Sequence, residues 1–114
     1  MCDAYALVEQ FPEKQKYVIS QQLCKAALSI PSNIAEGRGR SSARDYRHFL
    51  MQARGSLYEL ETQVTAARRL GYIAAEAEEE FLERSTETLR VLSGLIRSVS
   101  SRLPPPARLY TRTR

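Results

Sequence analysis

The side chains with the most chemical potential in this sequence are arginines. Arg38, Arg40, Arg44 and Arg47 crowd into one short stretch, and Arg54 follows within two helical turns. On a helix, Arg44 and Arg47 share a face at i, i+3 spacing. A guanidinium grips phosphate bidentately, so the group is a candidate nucleic-acid edge. A solvated face explains the same cluster equally well. Every basic residue after Lys25 is arginine. Phosphate recognition and the codon bias of a GC-rich genome both account for that.

A second group is polar and sits beside apolar positions. Asn33 and Glu36 flank Ile30 and Ile34, while Ser56, Glu59 and Glu61 lie near Leu57 and Leu60. Their expected role is structural hydrogen bonding between helices, with Arg54 or a neighbouring subunit's arginine as counter-charge. The alternative is a ligand pocket. Gly55 inside a helical pattern costs about 1 kcal/mol relative to Ala, which suggests a close backbone approach there.

Catalytic patterns are missing. His48 is the one histidine, whereas a di-iron bundle needs Glu-x-x-His pairs from two helices. A zinc site would need His48, Cys2 or Cys24 and carboxylates to converge without any ligand spacing in the sequence. No nucleophile elbow, P-loop or dinucleotide fingerprint is present. The expectation is a protein that is not an enzyme and carries no cofactor and no metal.

The elements that must position these residues are helical. The chain has 114 residues, with 43% hydrophobic and 26% charged, which is one domain of ordinary globular usage. The net charge of +4 is uneven: residues 1–35 are neutral, 36–72 carry +3, 73–103 carry −2 and 104–114 carry +3. No apolar run is long enough to span a membrane, and the start Met1-Cys2-Asp3-Ala4-Tyr5 lacks secretory-signal character. With two cysteines expected as free thiols, the expected location is cytoplasmic.

Apolar residues recur at helical spacing in four segments. A short helix is expected from about Asp3 to Gln10, stopping at Pro12. A second runs from Pro12-Glu13 to about Glu36, with Val18, Leu23, Ala27, Ile30 and Ile34 as its stripe and Ser20 close to it. Pro31 lies inside it and predicts a kink near Leu28–Ile30. Gly37-Arg38-Gly39-Arg40 is expected to end that helix.

Ser42-Ala43-Arg44-Asp45 is a capping-box pattern that opens a third helix reaching Leu70, with Gly71 as its C-cap. Its seam is Phe49, Leu50, Ala53, Leu57, Leu60, Val64 and Ala67. A fourth helix starts near Ala74 or Ala75 without a good N-cap. It buries Phe81, Leu82, Leu89, Leu92, Leu95, Ile96 and Val99 and ends before Pro104-Pro105-Pro106. The predicted fold class is all-α: an antiparallel up-down-up-down four-helix bundle over residues 1–103. A Pro/Arg-rich tail, 104–114, follows it.

The phrases Ser29-Ile30-Pro31-Ser32-Asn33-Ile34-Ala35-Glu36-Gly37 and Ala53-Arg54-Gly55-Ser56-Leu57-Tyr58-Glu59-Leu60-Glu61-Thr62 carry a resemblance. Arg40-Ser41-Ser42, Phe49-Leu50 and Leu70-Gly71-Tyr72 extend it. In these the chain resembles the four-helix-bundle proteins encoded in 23S rRNA intervening sequences. That family includes the accessory variability proteins of diversity-generating retroelements. The resemblance covers about residues 5–100. It implies a four-helix bundle that assembles as a ring-shaped homopentamer, and relatives that bind nucleic acid and a reverse transcriptase through a basic ring surface. The near-neutral body and the Pro/Arg tail depart from the family pattern.

The expected function is therefore a non-enzymatic homo-oligomer, pentameric by resemblance. It would bind structured RNA or DNA through Arg38, Arg40, Arg44, Arg47, Arg54 and the tail residues Arg108, Arg112 and Arg114. The alternative is a protein-interaction scaffold whose arginines pair with the acidic stretch Glu76–Glu83 of neighbouring subunits. Neither reading involves a membrane or a small-molecule substrate.

Overall fold

The computed structural model describes Ala4, Leu7 and residues 13–104, with side chains from residue 18 onward. The described residues form three long helices: α1, Glu13–Arg38; α2, Ala43–Arg69; and α3, Ala75–Ser100. Ala4 and Leu7 are helical and buried. The rest of the expected first helix, Cys2, and the tail with Arg108, Arg112 and Arg114 lie outside the described residues.

The helices alternate in direction around α2. Gln63 faces Gln22 and Ser56 faces Ser29, so a step along α2 is a step back along α1. On the other side Arg68 meets Glu78, Glu61 meets Ser85, Arg54 meets Ser93 and Arg47 meets Ser100. The α1–α2 turn and the C-terminus of α3 therefore share one end of the molecule.

The seam of α2 matches its spacing: Leu50, Ala53, Leu57, Leu60, Val64 and Ala67 are all buried. Phe81, Leu92, Ile96 and Val99 face them from α3, with Leu82, Leu89 and Leu95 partly buried. Leu23, Ala26, Ala27 and Ile30 complete the core from α1. One stripe position falls outside: Val18 is 61% exposed. It lies five residues before Leu23, which turns it off a stripe that advances by three or four.

The helix ends obey local chemistry. Ser42 caps α2, its Oγ accepting the Asp45 N–H at 3.1 Å. At the other end Gly71 takes φ +83°, with Gly71 N–H bonded to Arg68 O at 3.0 Å and Tyr72 N–H to Ala67 O at 2.9 Å. That pair of bonds is a Schellman closure, and only a residue tolerant of positive φ fits it. Ala74 precedes α3 with no side-chain cap.

One glycine expectation needs correction, and another gains a packing role. α1 ends at Arg38, inside the stretch Gly37-Arg38-Gly39-Arg40 expected to end it. A Cβ on Gly37 would lie 2.8 Å from Phe49 Cβ and 3.0 Å from Tyr46 Cδ1, so glycine serves close packing of α1 on α2. Gly55, read as a close approach, has nothing within 4 Å of where a Cβ would stand. Pro31 lies inside α1, flanked by side-chain bonds to backbone: Ser29 Oγ to Ala26 O at 2.8 Å and Asn33 Nδ2 to Ser29 O at 2.7 Å.

Candidate nucleic-acid interface

The turn end of the molecule gathers arginines from every described helix. Arg38 closes α1, Arg40 lies in the turn, and Arg44 and Arg47 occupy the first turns of α2. Arg102 follows the last turn of α3. Arg38, Arg40, Arg44 and Arg102 are exposed, and Arg47 is half-buried.

Their partners differ, and so does what each can offer a ligand. Arg40 Nη2 bonds Glu36 Oε2 at 2.7 Å, and its guanidinium lies 5.0 Å from the Phe49 ring centroid. The stacking holds the head in place while one edge stays open. Arg47 Nε donates to Ser100 Oγ at 2.7 Å, which ties α2 to α3. Arg54 Nη1 donates to Ser93 Oγ at 3.2 Å, two turns further down the same seam. Arg54 and Arg47 are thus engaged as helix ties. Among the described residues, Arg38, Arg44 and Arg102 have no ion-pair partner.

An open groove of about 890 Å³ runs beside this end, lined by Arg44, Arg47, His48, Gln52 and Glu59 among others. His48 is exposed and meets Phe49 edge-on at 5.3 Å. Among the described residues no three His, Cys, Asp or Glu side chains converge as a metal site. No described helix is long and apolar enough to cross a membrane.

The polar inter-helix group divides. Ser56 Oγ and Ser29 Oγ share a hydrogen bond at 2.5 Å, which joins α2 to α1. Glu61 accepts from Ser85 Oγ, which joins α2 to α3. Asn33 and Glu36 do not reach across: Asn33 bonds its own helix, and Glu36 bonds Arg40 four residues on. Glu59 is exposed. Sequence reasoning missed the serines that complete these ties, Ser29, Ser85, Ser93 and Ser100. It also left out Arg102, which up-down topology places beside the α1–α2 turn.

The acidic start of α3 is only partly free. Glu78 pairs with Arg68 at 3.2 Å, and Glu80 lies 3.8 Å from Arg84. On the exposed face of α3, Arg90 donates to Glu87 at 2.5 Å. That hydrogen bond and the positive charge hold the Glu87 carboxyl below the usual glutamate value.

The family model of the 23S rRNA-intervening sequence protein matches residues 1–94. The chain belongs to that family. No curated protein matches the chain. In this chain the two phrases that carry the family resemblance meet in space. Ser29, at the head of one, bonds Ser56, in the middle of the other. The match stops at residue 94, so Arg97, Arg102 and the tail lie beyond it.

Proposed function

We propose that the protein is a non-catalytic, cytoplasmic, self-associating helical bundle that binds structured RNA through its arginine-bearing end. The observation that carries the reading is the meeting of Arg38, Arg40, Arg44 and Arg102 at one end, with most of those guanidiniums unpaired among the described residues. The family's name, which refers to ribosomal RNA, is the second support. Buried, helical Ala4 and Leu7 support a fourth helix before α1. The bend of α1 at Pro31 rests on the proline inside it, and pentameric assembly on the family resemblance. The tail arginines Arg108, Arg112 and Arg114, which lie outside the described residues, belong to the same reading as further cationic groups.

The test is a filter-binding assay of the full chain with a structured ribosomal RNA fragment at several salt concentrations. Binding at low salt that weakens along a linear log–log plot supports the reading. Absence of binding at low salt, or affinity indifferent to salt, removes it.

A protein-interaction scaffold is the second reading. It is favoured by exposed apolar residues, namely Val18, Leu28, Tyr58, Leu70 and Val91, and by the exposed acids Glu76, Glu79 and Glu83. Light scattering of R44E and R47E variants separates the two. Loss of assembly points to the scaffold, and loss of RNA with the assembly intact points to RNA binding.

A further inference from the structure

The α1–α2 turn and the segment after α3 enclose an open cleft of about 450 Å³. Arg38, Arg40 and Arg102 line it, each from a different segment, and among the described residues no acidic side chain lines it. Arg40 leans on Glu36 and Phe49. Arg38 and Arg102 have no ion-pair partner among the described residues. Ser41 and Ser42 line the same cleft, as does half-buried Tyr46. Ser42 Oγ accepts from Asp45 N–H and keeps its own hydrogen to donate.

Like charges gathered in one cleft repel, and an anion of matching charge relieves the repulsion. An internal RNA phosphate is a diester with one negative charge. A phosphomonoester carries about −1.5 to −2 at pH 7 and presents three strong acceptor oxygens. Several guanidinium forks and hydroxyl donors lining one cleft suit the dianion better than the diester.

We propose that this cleft binds the terminal phosphomonoester of an RNA strand, with Arg38 and Arg102 gripping its oxygens and Ser41 and Ser42 donating to it. The proposal rests on the RNA reading above and adds the chemical group recognised.

The test compares one fluorescent oligoribonucleotide carrying either a 5′-phosphate or a 5′-hydroxyl, by polarisation at fixed low salt with the full chain. The 5′-phosphate form is expected to bind about tenfold more tightly, the factor that one charge-assisted hydrogen bond supplies. R102Q, an exposed substitution, is expected to weaken both forms through the lost charge and the 5′-phosphate form about tenfold more, so that the preference disappears. R69Q, at the far end of α2, is expected to keep the preference. Inorganic phosphate that erases the preference without displacing the hydroxyl-ended strand supports the same site. Equal binding of the two forms by the native chain, or R102Q weakening both alike, overturns the terminal-phosphate assignment and leaves RNA binding standing. Binding of neither form removes both.

Discussion

A methyl group on Gly37 would stand 2.8 Å from Phe49 Cβ, so the last turn of α1 touches the second turn of α2 almost backbone to side chain. The contact holds Phe49 where its ring meets the Arg40 guanidinium and Tyr46 where it backs the arginine cleft. A packing residue thereby positions the candidate binding end.

Gly37→Ala and Gly55→Ala are expected to move stability in opposite directions. Overpacking costs about 1–3 kcal/mol, which exceeds the gain of about 1 kcal/mol that alanine brings to a helix interior. Gly37→Ala should therefore lower the melting temperature. At Gly55 nothing lies within 4 Å, so the propensity gain remains and Gly55→Ala should raise stability by about 0.5–1 kcal/mol. Denaturant melts of both variants check this. Equal shifts of one sign would contradict the packing described at Gly37.

Ser42 separates folding from binding. Ser42→Ala removes the acceptor for Asp45 N–H and is expected to cost about 1 kcal/mol. Ser42→Asp keeps a capping acceptor and should hold the melting temperature near that of the native chain. It also places a negative charge in the arginine cleft, so RNA affinity should fall. Thermal melts and filter binding on the same two variants show whether the effects part in this way.

Ser85 is the buried polar residue among those described, 4% exposed, and it donates to Glu61. Hydrogen bonds of this kind are worth about 1–3 kcal/mol when a charged partner is involved. Ser85→Ala should destabilise the protein by an amount in that range. A double-mutant cycle with Glu61→Ala should return a coupling of about 0.5–3 kcal/mol. Additive effects would mean that the two side chains do not act together.

Glu87 is held below the usual carboxylate range by the Arg90 hydrogen bond first and the Arg90 charge second. With a folded-state value below the unfolded one, the contribution to stability is present above the unfolded value. It is lost as pH falls through the folded one. The pair is fully exposed, so the stability effect is small. A side-chain NMR titration should place the Glu87 midpoint below that of an ordinary glutamate, and Arg90→Gln should return it. An unchanged midpoint in Arg90→Gln would remove Arg90 as the cause.

Much of the fold was legible because it follows from short-range rules. Helical spacing of Leu50, Ala53, Leu57, Leu60, Val64 and Ala67 picked out the buried face of α2. Ser42 and Gly71 marked its ends because capping and positive φ are decided by a few neighbouring atoms. The arginine cluster was visible as composition, though not which of its members stay free.

What only the tertiary structure decided is which side chains meet across helices. Helix periodicity cannot tell Gly37, pressed on Phe49, from Gly55, facing open space, since both are glycines on helices in the same sequence pattern. Nor can it tell Arg47 and Arg54, tied to Ser100 and Ser93, from Arg38, which has no ion-pair partner among the described residues, or bring Arg102 to the α1–α2 turn. The sequence alone determined helices, their ends and their apolar faces, which depend on residues a turn or so apart. Pairing between residues 24 to 53 positions apart depends on helix register and rotation, and these are set when the whole core closes.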